Sequence, residues 1–224
     1  NSGIMKLSQA IGVIMGSNIG TTITAWILSL AGIQSDNFWV RIFKPESFCP
    51  LLALFGIIMI LGSKKMRRQD IGRVMVGFAV LMYGMQLMAG SMTPLANDPN
   101  FQQYMLAFKN PILGLAVGTV ITAVIQSSAA SVGILQALSM TGNVTYGMAL
   151  PIIMGQNIGT CITAFISSIG VNANARKVAV VHVSFNIIGT IIFLAFYLGL
   201  NAIFHLKFVN ESINPAMIAV VHSV

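Results

Sequence analysis

Apolar residues run in long, almost uncharged stretches near 8–31, 46–62, 71–91, 146–170 and 178–200, and another begins at 215–224. A helix that crosses the hydrocarbon core of a bilayer needs about 20 such residues, so these stretches predict membrane-spanning helices, with 46–62 a short one. The segment 111–141 has a different pattern. It is apolar at both ends and carries QSSAAS (126–131) at its midpoint. It reads either as one over-long helix or as two half-length helices meeting at a polar tip, a re-entrant hairpin.

Charge placement chooses between them. Lys64, Lys65, Arg67 and Arg68 crowd one short link, and Arg176 and Lys177 occupy another. An excess of Lys and Arg marks the cytoplasmic face. With 63–70 inside, 71–91 runs outward and 92–110 lies outside. A hairpin at 111–141, its tip near Gln126 to Ala129, returns to the outside. The span 146–170 then runs inward and delivers Arg176 and Lys177 to the cytoplasm. A full crossing would leave that pair outside. In the other direction 8–31 runs outward and 32–45 is outside, which places Arg41 and Lys44 against the rule, flanked by Asp36 and Glu46.

Composition agrees with a membrane protein. The chain of 224 residues is 56% hydrophobic and 8% charged, against about 25% charged for a soluble domain. Its net charge of +7 sits in short links between apolar spans, which argues against nucleic acid as a partner. Cys49 and Cys161 form neither a disulfide framework nor a metal-ligand spacing. The chain opens at Asn1 without a methionine and closes inside an apolar run, so both ends are expected to continue.

Two stretches are nearly the same: IMGSNIGTTITA at 14–25 and IMGQNIGTCITA at 153–164, differing only at Ser17/Gln156 and Thr22/Cys161. In the topology above the first copy runs outward and the second inward, so the repeat is inverted. Secondary transporters are often built this way, with binding at the repeat interface near mid-membrane. The expected fold is an all-α polytopic membrane protein with inverted repeats, a re-entrant hairpin and broken transmembrane helices. It divides into the latter half of a first repeat (1–47), connecting helices (48–107), a second repeat (108–200), and a loop with the start of a further helix (201–224).

Glycines and uncharged polar groups inside these spans carry the chemistry. Gly155 and Gly159 invite a helix break, because glycine adopts dihedrals that other residues avoid. Backbone irregularity at that depth is tolerated where it lines a cavity or is buried in protein. A break would expose carbonyls which, with Asn157 and the Thr160 hydroxyl, form hard oxygen ligands for a small cation. The N–H groups opening the next half-helix suit an anion. The competing reading is that small residues simply let helices pack closely. Gln126, Ser127, Ser128 and Ser131 bring donors and acceptors to the tip of the hairpin; the competing reading there is serines bonded back to their own helix. All five acidic residues fall in expected loops or at span ends. A proton-coupled carrier usually keeps a titratable group in the membrane. His182 and His222 are the candidates, and each reads better as a helix-end histidine with a structural partner. Sodium is therefore the favoured coupling ion. No enzyme constellation is present.

The combination resembles the sodium-dependent phosphate cotransporter family, the type II group and its bacterial relatives. That family carries two inverted repeats, each with a Q-S-S-S motif followed by G-x-N-I-G-T. QSSAAS and GQNIGTCITA look like the second repeat, and GSNIGTTITA looks like the latter half of the first. RKVAVVHVSFNIIG (176–189) resembles the family's post-repeat helix, with His182, Phe185 and Asn186 as H-x-x-F-N, and AVVHSV looks like the start of another. The resemblance implies a sodium-coupled carrier of inorganic phosphate working by alternating access in a bacterial inner membrane, with a homodimer as a candidate assembly. It needs no organic cofactor; sodium is co-transported. The candidate solute-binding residues are Gln126, Ser127, Ser128, Ser131, Gly155, Gln156 and Gly159. The candidate sodium-binding residues are Asn18, Thr21, Thr22, Asn157 and Thr160. The sequence departs from the family at Ala129, where a third serine is expected, and the first Q-S-S-S would fall before Asn1. Alternatives are a carrier of another oxyanion or a carboxylate, and a non-transporting membrane subunit linked to phosphate signalling.

Overall fold

The computed structural model describes residues 7–32, 42, 44–96, 98–170 and 173–224. Asp36 and Arg41, assigned above to an outer loop, lie outside them. Nine α-helices are formed among the described residues: α1 (Leu7–Ser29), α2 (Pro45–Gly62), α3 (Met66–Ala96), α4 (Pro99–Ala107), α5 (Pro111–Ile125), α6 (Ser128–Ser139), α7 (Tyr146–Ser167), α8 (Ala173–Phe204) and α9 (Pro215–Ser223). Short 3-10 turns follow α1 and precede α9. Four stretches are long and apolar enough to cross a membrane: Gln9–Ser29, Met66–Ser91, Tyr146–Ser167 and Ala173–Phe204. Large apolar side chains face outward from them and from α5, such as Val74 (72% exposed), Ile191 (61%) and Val124 (76%). In water such a surface would drive aggregation; in lipid it is the solvated face. The protein is an all-α polytopic membrane protein.

Several boundaries differ from the sequence expectation. α4 occupies part of the expected outer loop, where Asp98 caps its N-terminus by accepting from Asn100 N at 2.8 Å. α8 starts at Ala173, so Arg176 and Lys177 sit exposed in its first turns rather than in a loop. Arg67 and Arg68 likewise open α3. Cations at a helix N-terminus oppose the helix dipole, each by about 0.3–1 kcal/mol. Helix stability therefore does not explain where these charges stand.

The broken helices are the main correction. α1 and α7 run unbroken through both copies of the repeat. The second copy shows why its glycines are there. Gly114 and Gly118 of α5 and Gly155 and Gly159 of α7 are all buried where the two helices cross. A Cβ at Gly118 would overlap the carbonyl of Ile152, and one at Gly155 the carbonyl of Leu115. A Cβ at Gly159 would stand 2.7 Å from Thr122 Cβ. Two i, i+4 glycine pairs thus let the backbones touch, the small-residue packing that drives helix association where no hydrophobic effect operates. In the first copy Gly16 and Gly20 have open space around them. A smaller crossing of the same kind joins α2 to α3, where a Cβ on Gly56 would lie 2.7 Å from Gly72 O.

The segment 111–141 is two half-length helices, as expected, of 15 and 12 residues. At about 1.5 Å per residue neither spans a 30 Å hydrocarbon core. α5 ends at Gln126, in the left-handed region at φ 57°. α6 is capped by Ser127, whose Oγ accepts from Ala130 N at 3.2 Å. Thr122 Oγ1 donates to Ser131 Oγ at 2.7 Å across this tip. Nine residues along a straight helix would separate them by about 13 Å, so the chain doubles back.

One apolar cluster joins α1, α4, α6, α7 and α9 through Ala25, Met105, Leu135, Met148, Ile153 and Ile218. A second joins α1, α2 and α3 through Leu28, Cys49 and Met82. Fully buried Gln136 of α6 donates from Nε2 to Ala25 O (2.9 Å, α1) and Pro215 O (3.0 Å, α9).

Candidate transport site

The two copies of G-x-N-I-G-T meet at a cavity. Asn18, Thr21 and Thr22 reach it from α1, and Asn157 and Thr160 from α7. Ser128 comes from the hairpin tip, Asn186 and Thr190 from α8, and His222 from α9. Its volume is about 610 Å³. A smaller cavity of about 440 Å³ adjoins it, lined by Ser17, Gly20, Thr21 and Thr24 of α1, by Gln126, Ser127, Ser128 and Ala129 of the tip, and by Thr160. Thr21, Ser128 and Thr160 line both. The departure at Ala129 therefore falls on a cavity wall, where a methyl group replaces a hydroxyl.

The lining is neutral. Among the described residues, no Asp, Glu, Lys or Arg borders either cavity. The hydroxyls are polarised in a particular way. Thr21 Oγ1 donates to Ser17 O (3.1 Å), Thr22 Oγ1 to Ile19 O (2.6 Å) and Thr160 Oγ1 to Gln156 O (2.8 Å). A hydroxyl that gives its single hydrogen to its own helix has only acceptor lone pairs left. Together with the side-chain carbonyls of Asn18 and Asn157, these oxygens form a set of acceptors suited to a small cation. The hairpin tip has the opposite character. Ser127 Oγ accepts from Ala130 N, which frees its own hydrogen to donate. The Ser128 and Ala129 N–H groups open α6 and have no intrahelical acceptor. Such a helix start favours an anion.

Four residues expected at the site are not brought to either cavity. Ser131 is 1% exposed and Gln156 is 2% exposed. Gln156 Nε2 donates to Ser131 O at 3.0 Å and ties the start of α6 to α7. Gly155 and Gly159 are buried in the crossing with α5. Sequence reasoning missed Thr190, and it met Asn186 only through the resemblance. The signal was available: His182, Asn186 and Thr190 follow at intervals of four, one face of a helix. Asn186 Nδ2 donates to His182 O (3.0 Å), and Thr190 Oγ1 to Met154 O (3.4 Å) across to α7. The expected structural partners of the histidines are not found. His182 lies within α8 rather than at its end, and its Nε2 is buried without a hydrogen-bond partner. Neither ring nitrogen of His222 has one.

Comparison with known proteins now adds what geometry cannot. The model of the Na+/Pi-cotransporter family matches residues 1–90 and 80–211. The Escherichia coli (strain K12) protein YjbB, whose name proposes inorganic phosphate export, is 27% identical over 194 residues, 86% of this chain and 33% of YjbB. YqeW of Bacillus subtilis (strain 168) is 26% identical over 208 residues, 88% of this chain and 60% of YqeW. Human sodium-dependent phosphate transport protein 2B is 32% identical over 142 residues, 56% of this chain and 20% of that protein. The chain thus spans a third of YjbB's length. No solved structure matches it significantly. On the family match, which covers nearly its whole length and both copies of G-x-N-I-G-T, this chain belongs to the Na+/Pi-cotransporter family.

Proposed function

We propose that the protein is a sodium-coupled carrier of inorganic phosphate, working by alternating access between the two inverted copies of G-x-N-I-G-T in a bacterial inner membrane. One observation carries this reading: Asn18, Thr21 and Thr22 of one copy and Asn157 and Thr160 of the other border a single cavity with Ser128. In this reading the five repeat residues bind sodium, and Gln126, Ser127 and Ser128 bind phosphate at the hairpin tip. Ser131 and Gln156 hold the tip on α7, and Gly155 and Gly159 set the α5–α7 crossing. A cation beside the tip compensates the phosphate charge that no arginine or lysine meets, which makes binding of the two solutes mutually reinforcing. Sodium rather than protons is supported by cavity walls free of carboxylates. The human relative's name states sodium dependence. YjbB's name proposes export, and the same site serves either direction as the gradients dictate. A homodimer is part of the proposal, and cross-linking in native membranes tests it.

The deciding experiment is uptake of labelled phosphate by proteoliposomes of the full-length protein. Uptake should follow an imposed sodium gradient and compete poorly with sulfate or dicarboxylates. Uptake driven equally well by a pH gradient in sodium-free medium would sink sodium coupling. Sodium-driven uptake of a carboxylate in preference to phosphate would move the reading to that solute.

A further inference from the structure

The tetrapeptide AVVH occurs twice, at 179–182 in α8 and at 219–222 in α9. The first packs on α7, where Cys161 Sγ lies 3.7 Å from His182 O. The second packs on α1, where Trp26 Nε1 donates to Ser223 Oγ at 3.1 Å and Ser223 Oγ donates to Ala219 O at 2.7 Å. Each copy of AVVH is therefore packed on a helix that carries one copy of G-x-N-I-G-T. The two histidines nevertheless differ in placement: His222 borders the larger cavity and His182 does not.

His222 is 9% exposed, and both its ring nitrogens lack a partner. Burying an imidazole N–H with nothing to accept it is costly, and an oxyanion entering the cavity that His222 borders would remove that cost. The hydroxyls of Thr21, Thr22 and Thr160 give their hydrogens to backbone carbonyls, and the amide of Asn186 gives one of its two. An imidazole has at least one N–H in any protonation state, and no Lys or Arg competes for an anion here. The Trp26–Ser223 bond fixes the turn that carries the ring. We propose that His222 is a solute-binding residue, donating an N–H to an oxyanion in the larger cavity opposite the hairpin tip. This rests on the carrier reading above for its solute, phosphate, and adds α9 to the elements that hold it.

Equilibrium binding of labelled inorganic phosphate and of labelled sulfate, measured on the full-length protein in detergent beside uptake in proteoliposomes, tests this. His222→Phe, which keeps the ring shape without the N–H, should raise the dissociation constant for phosphate about ten- to hundredfold, the worth of one hydrogen bond to a charged group. Sodium affinity measured without phosphate should stay within about twofold, since the cation ligands are untouched, whereas the sodium needed for phosphate binding should rise with the lost phosphate affinity. His222→Gln, which keeps a donor, should recover most of the affinity, and His182→Gln should leave it unchanged. Should His222→Phe fail to fold, phosphate must protect His222 of the wild-type protein from diethyl pyrocarbonate, as read by mass spectrometry. Phosphate affinity within about twofold of wild type in folded His222→Phe, or no protection, overturns the assignment. Binding that depends on His222 without sodium-driven uptake would sink the carrier reading and leave the assignment standing. Absence of binding by either anion overturns the assignment itself.

Discussion

Replacing Gly155 by alanine adds one methyl group to the α5–α7 crossing, and the structure says where it goes. The new Cβ would overlap Leu115 O and stand 2.9 Å from Leu115 C and Thr119 N. All three are backbone atoms, so no rotamer change can relieve the contact. The helices must separate by about 1 Å along their whole crossing, and Gly118 loses its approach to Ile152 at the same time. Overpacking of this kind costs about 1–3 kcal/mol. Against it stands the gain of about 0.5–1 kcal/mol for replacing glycine inside a helix. The sum is a net loss of up to about 2.5 kcal/mol for Gly155→Ala or Gly118→Ala. Once one methyl has pushed the helices apart, the second meets less resistance, so the double substitution should cost less than the two singles together. Gly77 of α3 and Gly199 of α8 have nothing within 4 Å. Gly77→Ala and Gly199→Ala keep only the favourable term and should be neutral or stabilising by about 0.5–1 kcal/mol. Denaturant unfolding in mixed micelles, followed by far-UV circular dichroism, measures all five variants. If Gly155→Ala is as stable as Gly77→Ala, the crossing is not held by close backbone contact and the explanation of the unbroken helix fails.

Gln136→Glu replaces the buried amide that faces Ala25 O and Pro215 O with a group that has no donor when ionised. It should abolish recovery of folded protein by size-exclusion chromatography, whereas Gln136→Leu should lose only about 1–3 kcal/mol for two hydrogen bonds. Cysteines at Phe108 and Asn143, which flank the doubled-back segment, should label from the same side of an oriented membrane; labelling from opposite sides would make that segment a full crossing. Asn18→Ala and Asn157→Ala should each raise half-saturating sodium about ten- to hundredfold with little change in expression. A shift under about twofold in both would remove the repeats from the cation site.

Four of the five expected spans, all but 46–62, and the repeat were legible because lipid imposes a long apolar period that few sequences satisfy by accident. The tip was legible because QSSAAS puts polar side chains halfway along an apolar segment, and because Arg176 and Lys177 fall on the cytoplasmic side only if that segment turns back. The meaning of Gly155 and Gly159 was not. A glycine pair four residues apart serves a helix break and a close crossing equally well, and only the partner pair Gly114 and Gly118 decides between them. No local rule reveals that α5 crosses α7 at that register. Gln156 misled for a similar reason: a glutamine beside a site motif looks like a ligand, yet its amide bonds the backbone of Ser131. His222 was expected to have a structural partner, and a histidine's partners come from the fold; among the described residues its ring nitrogens have none.

Gln136 also sets an order of events during synthesis. Its amide bridges a carbonyl made 111 residues earlier, at Ala25, and one made 79 residues later, at Pro215. At roughly 5–20 residues per second, α1 waits about 6–22 s for Gln136 and several seconds more for α9. During that interval α1 is held by its own apolar length and by the packing of Leu28 on α2 and α3, without the clamp that joins it to α6 and α9. The cavity wall formed by Asn18, Thr21 and Thr22 is therefore completed only after α9 is made. A nascent chain stopped between α6 and α9 should expose Asn18 to a membrane-permeant cysteine reagent, after Asn18→Cys, far more than the completed chain does.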